Sequence, residues 1–222
     1  HYSLSHAQQQ FWVSVQMGVS IAYNIPGAVF IEGALNKQVL KKAFSSIVTR
    51  HEVFRTNFIY VDGEPRQRIS QNVDICFKEW DLSLETDPNA NAQSIIQEEI
   101  ARQFDLENDS LLRIYLLQLT EAQHLLIINV HHIIFDGWSI VLLLKELTTL
   151  YEAYNAGKEN ILQPLEFQYK DYAVWQNNFL NSEQILSVQN YWHQKLRDFQ
   201  PLSLPTDYVR PAIQAYNGSV IP

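Results

Sequence analysis

The sequence predicts an α+β fold, an α/β sandwich built on a mixed β-sheet, and three observations carry that prediction. Strand-like runs and amphipathic helical stretches interleave along the 222 residues without the strict strand-helix-strand beat of a doubly wound sheet. No glycine-rich phosphate loop opens any of the helical stretches. Hydrophobic residues make up 46% and charged residues 18% of the chain, enough apolar side chain for a sizeable core and too much for disorder. At a usual ~100 to 200 residues per domain, the length admits one large domain or two small ones. Pattern alone leaves the topology open.

Ser5 with Gln8 makes a capping-box pattern, and Phe11, Trp12, Val15 and Val19 recur at helical spacing, which predicts a first helix over 5–17 with its aromatic face inward. Tyr23 to Glu32 contains a strand-like run that Gly33 breaks. Leu40, Ala43, Phe44, Ile47 and Val48 then mark a second amphipathic helix ending near Arg50 and His51. Strands follow at 54–60, 66–70 and 73–80, the first two joined through an Asp62-Gly63 turn. A helix at 91–104 leads to a hairpin of 111–119 with 124–130. From Trp138 to Tyr154 apolar residues nearly surround the helix axis, leaving a narrow polar stripe through Lys145, Glu146, Thr149 and Glu152, so this helix is expected to be largely buried. Gly157 ends it, 167–179 and 183–199 read as two further helices, and the tail after Gln200 as extended.

The formal charge of -8 argues against a nucleic-acid partner, because tracking phosphates takes clustered Lys and Arg. An acidic carrier protein would have to dock on a local basic or apolar patch against the average field. Cys76 is the single cysteine, which rules out an intrachain disulfide or a cysteine metal cluster and fits a cytoplasmic location; a structural thiol is its default reading. The longest apolar runs fall far short of the ~20 residues that span a membrane. The chain opens at His1 without a targeting pattern and reads as an excised piece of something longer.

The most informative stretch is Asn129-Val130-His131-His132-Ile133-Ile134-Phe135-Asp136-Gly137-Trp138-Ser139, at the junction of an apolar strand and a long helix. Strand side chains alternate, so His132 follows Ile128 and Val130 while His131 follows Ile127 and Asn129, and only one imidazole can face a given cavity. Asp136 has two structural readings, a cap for the following helix or the partner of an arginine. Gly137 admits close backbone approach, and its N–H near a helix start could steady developing negative charge; a plain turn glycine fits equally well. A zinc site is disfavoured, since Asp136-Gly137 breaks the helix that would align His132 with Asp136 and no third ligand is suggested by spacing. Ser139 lacks the G-x-S-x-G elbow of a hydrolase nucleophile.

The HHxxxDG pattern of His131 to Gly137 resembles that of non-ribosomal peptide synthetase condensation domains, which belong to the chloramphenicol-acetyltransferase-like acyltransferases. Three further segments resemble the family in order: Ser5 to Trp12, Arg50 to Phe58 and Tyr169 to Trp175. The tail Leu204 to Pro211 resembles the family's crossing segment. The resemblance implies a chloramphenicol-acetyltransferase-like half, with residues 1–180 as an N-terminal condensation subdomain and 181–222 as a helix and crossing segment toward a C-terminal subdomain. It implies amide formation between a donor acyl or peptidyl thioester and an acceptor aminoacyl thioester. Both would arrive on the phosphopantetheine arms of carrier proteins, with no cofactor on this chain and an adenylation domain adjacent.

Within that resemblance His132 is the catalytic residue, suited as a neutral imidazole to general-base work on an attacking amine. His131 is a structural hydrogen-bonding residue, Asp136 forms a salt bridge with Arg50 or, second, Arg55, and Trp138 and Ser139 line the channel mouth. An α-amino group is already partly neutral at physiological pH, with a pKa of ~7.7 to 8.0, so His132 would act on the cationic nitrogen formed by attack, or by positioning the amine. Two alternatives stand beside this reading. One is a non-catalytic half or carrier-binding module whose exposed mating face drives self-association; the other is an epimerisation domain, which shares the histidine motif.

Overall fold

The first helix begins where its free N–H groups find partners. Helix α1 (His6–Gln16) opens on Ser5, whose hydroxyl accepts the Gln8 N–H at 3.2 Å while Gln8 Oε1 accepts the Ser5 N–H at 3.0 Å. This is the reciprocal capping box read from the sequence. Phe11, Trp12 and Val15 pack against the main core. The computed structural model describes residues 1–18, 21–71 and 75–209; Val19, Val73 and the end of the crossing segment lie outside them. The chain divides into two compact units, His1–Asn177 and Asn178–Pro222.

In the first unit a four-stranded sheet has the order β2 (Asn24–Glu32), β7 (Gln123–His131), β6 (Leu112–Thr120), β5 (Cys76–Asp81). The β5–β6 pair is parallel and the other two are antiparallel, so the sheet is mixed. Its central strands are apolar on both faces because both faces are covered. On one side Leu112, Ile114, Leu116, Leu126, Ile128 and Val130 join the main core. There they share it with α2 (Lys37–Arg50), which buries the five apolar residues its periodicity marked, and with α4 (Gly137–Asn155). On the other side Tyr115, Leu117, Leu119, Leu125 and Ile127 form a second cluster with Ala92, Ile95 and Ile96 of α3 (Pro88–Ala101). A three-stranded antiparallel sheet adds β1 (Tyr2–Ser3), β4 (Glu64–Ile69) and β3 (Thr56–Val61), in the order β1-β4-β3. The β3–β4 hairpin turns on Asp62 and Gly63, whose φ values of 51° and 84° are the left-handed pair that a two-residue turn requires.

Two helices depart from expectation. Helix α4 buries Leu143, Leu147, Leu150, Ala153 and Tyr154 but leaves Trp138, Ile140, Val141 and Leu142 exposed. Its apolar residues do surround the axis, yet this chain covers only the stripe spaced at three and four residues that faces α2 and the sheet. Helix α3 starts and ends three residues before its predicted span, because Asp87 caps the Ala90 N–H at 3.0 Å and Pro88 sits in the first turn, where its missing N–H costs nothing. Helix α5 (Tyr169–Leu180) runs from the first unit into the second, and the second unit carries α6 (Ile185–Lys195), with Leu186, Val188, Tyr191 and Trp192 exposed along it.

Candidate active site

Strand β7 ends on His131, the turn beyond it begins on His132, and the two rings sit in different surroundings. His131 is fully buried, opposite Asn24 in the register and flanked by the rings of Tyr23 and Phe104 at 6.3 and 5.9 Å. Its Nδ1 accepts the Ile133 N–H at 3.1 Å. Burial, with His132 beside it, pushes its pKa down to about 4, so the ring is neutral near pH 7. His132 is partly buried and stacks on Phe11, with centroids 4.7 Å apart and planes at 23°; its backbone N–H donates to Tyr23 O at 2.8 Å.

His132 forms part of the wall of a cleft of about 370 Å³, with Phe11, His51, Asp136, Ser139 and Tyr169 among its neighbours. The turn that carries it is tied down on both sides. Ile134 N–H donates to His131 O at 3.1 Å, and Ile133, Ile134 and Phe135 are buried in the main core. That leaves Asp136 in extended geometry ahead of α4, where one carboxylate oxygen accepts both the Ser139 N–H at 2.8 Å and the Ser139 hydroxyl at 2.6 Å. The hydroxyl first, and the N–H second, hold its carboxyl below the usual range.

The expected salt bridge from Asp136 to Arg50 or Arg55 is not what the structure shows. Arg50 Nε pairs with Glu146 Oε1 at 3.1 Å, and its guanidinium also donates to Gln163 O. Arg55 donates to Ser70 O at 2.6 Å and pairs with Glu52 at 3.4 Å. The reason is geometric: Glu146, on the face of α4 that meets the end of α2, reaches the arginine, while the Asp136 carboxylate is engaged at the start of α4. Asp136 is therefore a helix cap, the other of its two sequence readings. Gly137 is the first residue of α4; its φ is not positive and a Cβ there would meet nothing within 4 Å, so the packing of this chain does not require a glycine. Ser139 is on the cleft wall, whereas Trp138 is 75% exposed and outside it.

Several wall residues carried no assignment in the sequence. Phe11 supplies the ring on which His132 stacks. Tyr169 hydrogen-bonds Ser5 Oγ at 2.9 Å, and burial raises its pKa. Gln168 stitches the end of α2, donating to Arg50 O at 2.9 Å and accepting the Glu52 N–H at 3.0 Å. Lys170 pairs with Glu52 at 2.6 Å, and His51 Nε2 meets Glu146 Oε2 at 2.7 Å. The segments Ser5 to Trp12, Arg50 to Phe58 and Tyr169 to Trp175 are thus knitted together around the cleft. The sequence signal of this was the resemblance of the three segments, in order, to those of one family; their mutual contacts were not legible in it. Among the described residues no three His, Cys, Asp or Glu side chains come together as a metal site, and no helix is long and apolar enough to cross a membrane.

A family model for the condensation domain matches residues 1–221. Gramicidin S synthase 2 of Aneurinibacillus migulanus is 40% identical over 221 residues, which is 99% of this chain and 5% of the synthase. Malpibaldin synthetase of Mortierella alpina is 38% identical over 223 residues, 99% of this chain and 4% of that protein. The starter condensation domain of rhizomide synthetase superposes with a TM-score of 0.83 at 25% identity, over 90% of this chain and 48% of that one. The first condensation domain of the calcium-dependent antibiotic synthetase, at 23% identity and a TM-score of 0.77, shares the fold. The chain spans a few per cent of these curated relatives and about half of the solved domains. The mixed sheet flanked by helices is the chloramphenicol-acetyltransferase-like arrangement that the motifs implied, and with family model, relatives and fold in agreement the chain belongs to the condensation-domain family.

Proposed function

We propose that residues 1–180 form the N-terminal subdomain of an amide-forming condensation catalyst, with 181–222 leading to the domain's second half. The observation that carries the reading is the placement of His132. Of the two imidazoles, it is the one on the cleft wall, held by the Phe11 stack and beside the Asp136-capped start of α4.

In this reading the amine of an acceptor aminoacyl thioester attacks the carbonyl carbon of a donor acyl or peptidyl thioester. The new C–N bond forms, the C–S bond breaks, the cationic nitrogen gives up a proton and the departing thiolate gains one. His132 takes the proton from nitrogen or holds the amine in line; a positioned base supplies typically ~10² to 10⁴-fold. Ser139 and Tyr169 offer hydroxyls on the same wall. Both thioesters ride on phosphopantetheine arms of carrier proteins, so the cofactor is the partners'. An adenylation domain neighbours the site in the assembly, which works in the cytoplasm.

Donor and acceptor carriers are loaded, this chain is added with and without the second half of the domain, and the acceptor-bound product is read by intact mass. Amide formed only with both halves, and lost in His132→Ala, is the expected outcome. Carrier binding without amide would leave a binding module, and inversion of a loaded aminoacyl group without amide would leave an epimerase.

A further inference from the structure

The face of β7 opposite the cleft carries an unusual load of buried polar groups. Helix α3 ends above it, and the sheet supplies partners for carbonyls at and just beyond that helix end. Asn24 Nδ2 donates to Ile100 O at 2.8 Å and Arg102 O at 3.2 Å, and Asn129 Nδ2 donates to Glu99 O at 2.9 Å. Arg113, 3% exposed, donates to Arg102 O at 3.1 Å and Gln103 O at 2.7 Å. These donations fix the orientation of both amides, since a flipped amide would aim oxygen at carbonyl oxygen.

Three buried atoms are left over on the same face: Asn24 Oδ1, Asn129 Oδ1 and His131 Nε2 have no hydrogen-bond partner among the described residues. Asn24 pairs directly with His131 across β2 and β7, and Asn129 is two residues back along β7 on the same side. Directly paired side chains stand roughly 5 Å apart at Cβ and next-but-one neighbours roughly 7 Å, so the three polar tips share one small region. His131 Nδ1 accepts the Ile133 N–H, so a neutral ring must carry its proton on Nε2. The set is then two acceptors and one donor, the complement that a single water satisfies by donating twice and accepting once.

We propose that this face holds one buried water bound by Asn24 Oδ1, Asn129 Oδ1 and His131 Nε2–H, and that it makes His131 a positioning residue for His132. The water holds the Nε2–H tautomer, which leaves Nδ1 free to accept the Ile133 N–H. That bond sets the turn carrying His132 into the cleft and delivering Asp136 to cap α4. An imidazole walled off by Tyr23 and Phe104 stays neutral while its neighbour takes up a proton. The positioning role rests on the reading of His132 as the working base; the water and the tautomer do not, and they are measured without any assay of condensation.

The test is side-chain ¹⁵N spectroscopy on the ¹⁵N-labelled 222-residue chain, with His131 assigned by comparison with His131→Asn. The expected result is an unprotonated Nδ1 and a protonated Nε2, unchanged between about pH 8 and pH 5, where a free imidazole changes charge. A cross-peak should link Hε2 to a slowly exchanging water and vanish in Asn129→Ala. A proton on Nδ1, titration of His131 within that range, or an Hε2 without a water contact in the native chain would overturn the proposal. Loss of condensation activity in His132→Ala bears on the other reading and leaves this one untouched.

Discussion

Replacing Asp136 separates two physical accounts of the motif turn. If the carboxylate is a cap, as its bonds to the Ser139 N–H and hydroxyl show, Asp136→Asn keeps an equivalent acceptor and costs a few tenths of a kcal/mol, while Asp136→Ala loses the cap at a cost of about 1 kcal/mol. If the carboxylate instead belonged to a buried ion pair, Asn and Ala would both strand an arginine at a cost on the order of 3 to 5 kcal/mol. For a chain of this size 1 kcal/mol moves Tm by roughly 2 to 4 °C, so the cap predicts a fall of about 3 °C for Ala and almost none for Asn, against about 10 °C for either under the ion pair. The assay is thermal and urea unfolding followed by circular dichroism. The pH dependence adds a check. The folded carboxyl titrates below its unfolded value near ~3.9, so its contribution is complete above that value and fades as pH falls through the lower, folded pKa. Asp136→Asn should remove that acid-limb contribution. An Asn variant as damaged as the Ala variant would refute the capping account.

His131 predicts a second pH effect. Its pKa is about 4 in the fold against ~6.5 unfolded, so the unfolded chain binds the extra proton between those values. Stability should fall by on the order of 3 kcal/mol as pH drops from about 7 to 4, and His131→Asn should flatten that slope in urea titrations. The exposed apolar stripe of α4 predicts association of the isolated chain at high concentration; sedimentation should show Val141→Asp as more monomeric with its Tm unchanged, since Val141 is 63% exposed. Gly137→Ala should fold with undiminished Tm because its Cβ meets open space. If the amide yield of the reconstituted reaction is unaffected as well, no substrate approaches that backbone closely.

The local devices were legible because they are local. The capping box of Ser5 and Gln8, the Asp62-Gly63 turn and the buried stripe of α2 each depend on residues within a few positions of one another, and each formed where the spacing placed it. The apolar run of β7 was legible too, and because strand side chains alternate in direction, so was the conclusion that only one of His131 and His132 can face a given cavity. The burial of α4 was misread, since an apolar side chain says nothing about what arrives to cover it.

Most of the secondary elements, the mixed character of the fold and the strand-turn-helix that carries the histidine motif could be read from the residues alone, because propensity, alternation and capping act over one or two turns of chain; the two-residue strand β1 could not. Which histidine is sealed and which faces the cleft emerges from packing, because it depends on α3 closing over one side of β7 and on Phe11 stacking on His132. The partners of the arginines were decided there as well. Arg50 meets Glu146 across 96 positions and Tyr169 meets Ser5 across 164. An arginine with several carboxylates in its sequence pairs with the one that packing brings within reach, and packing is a property of the whole chain.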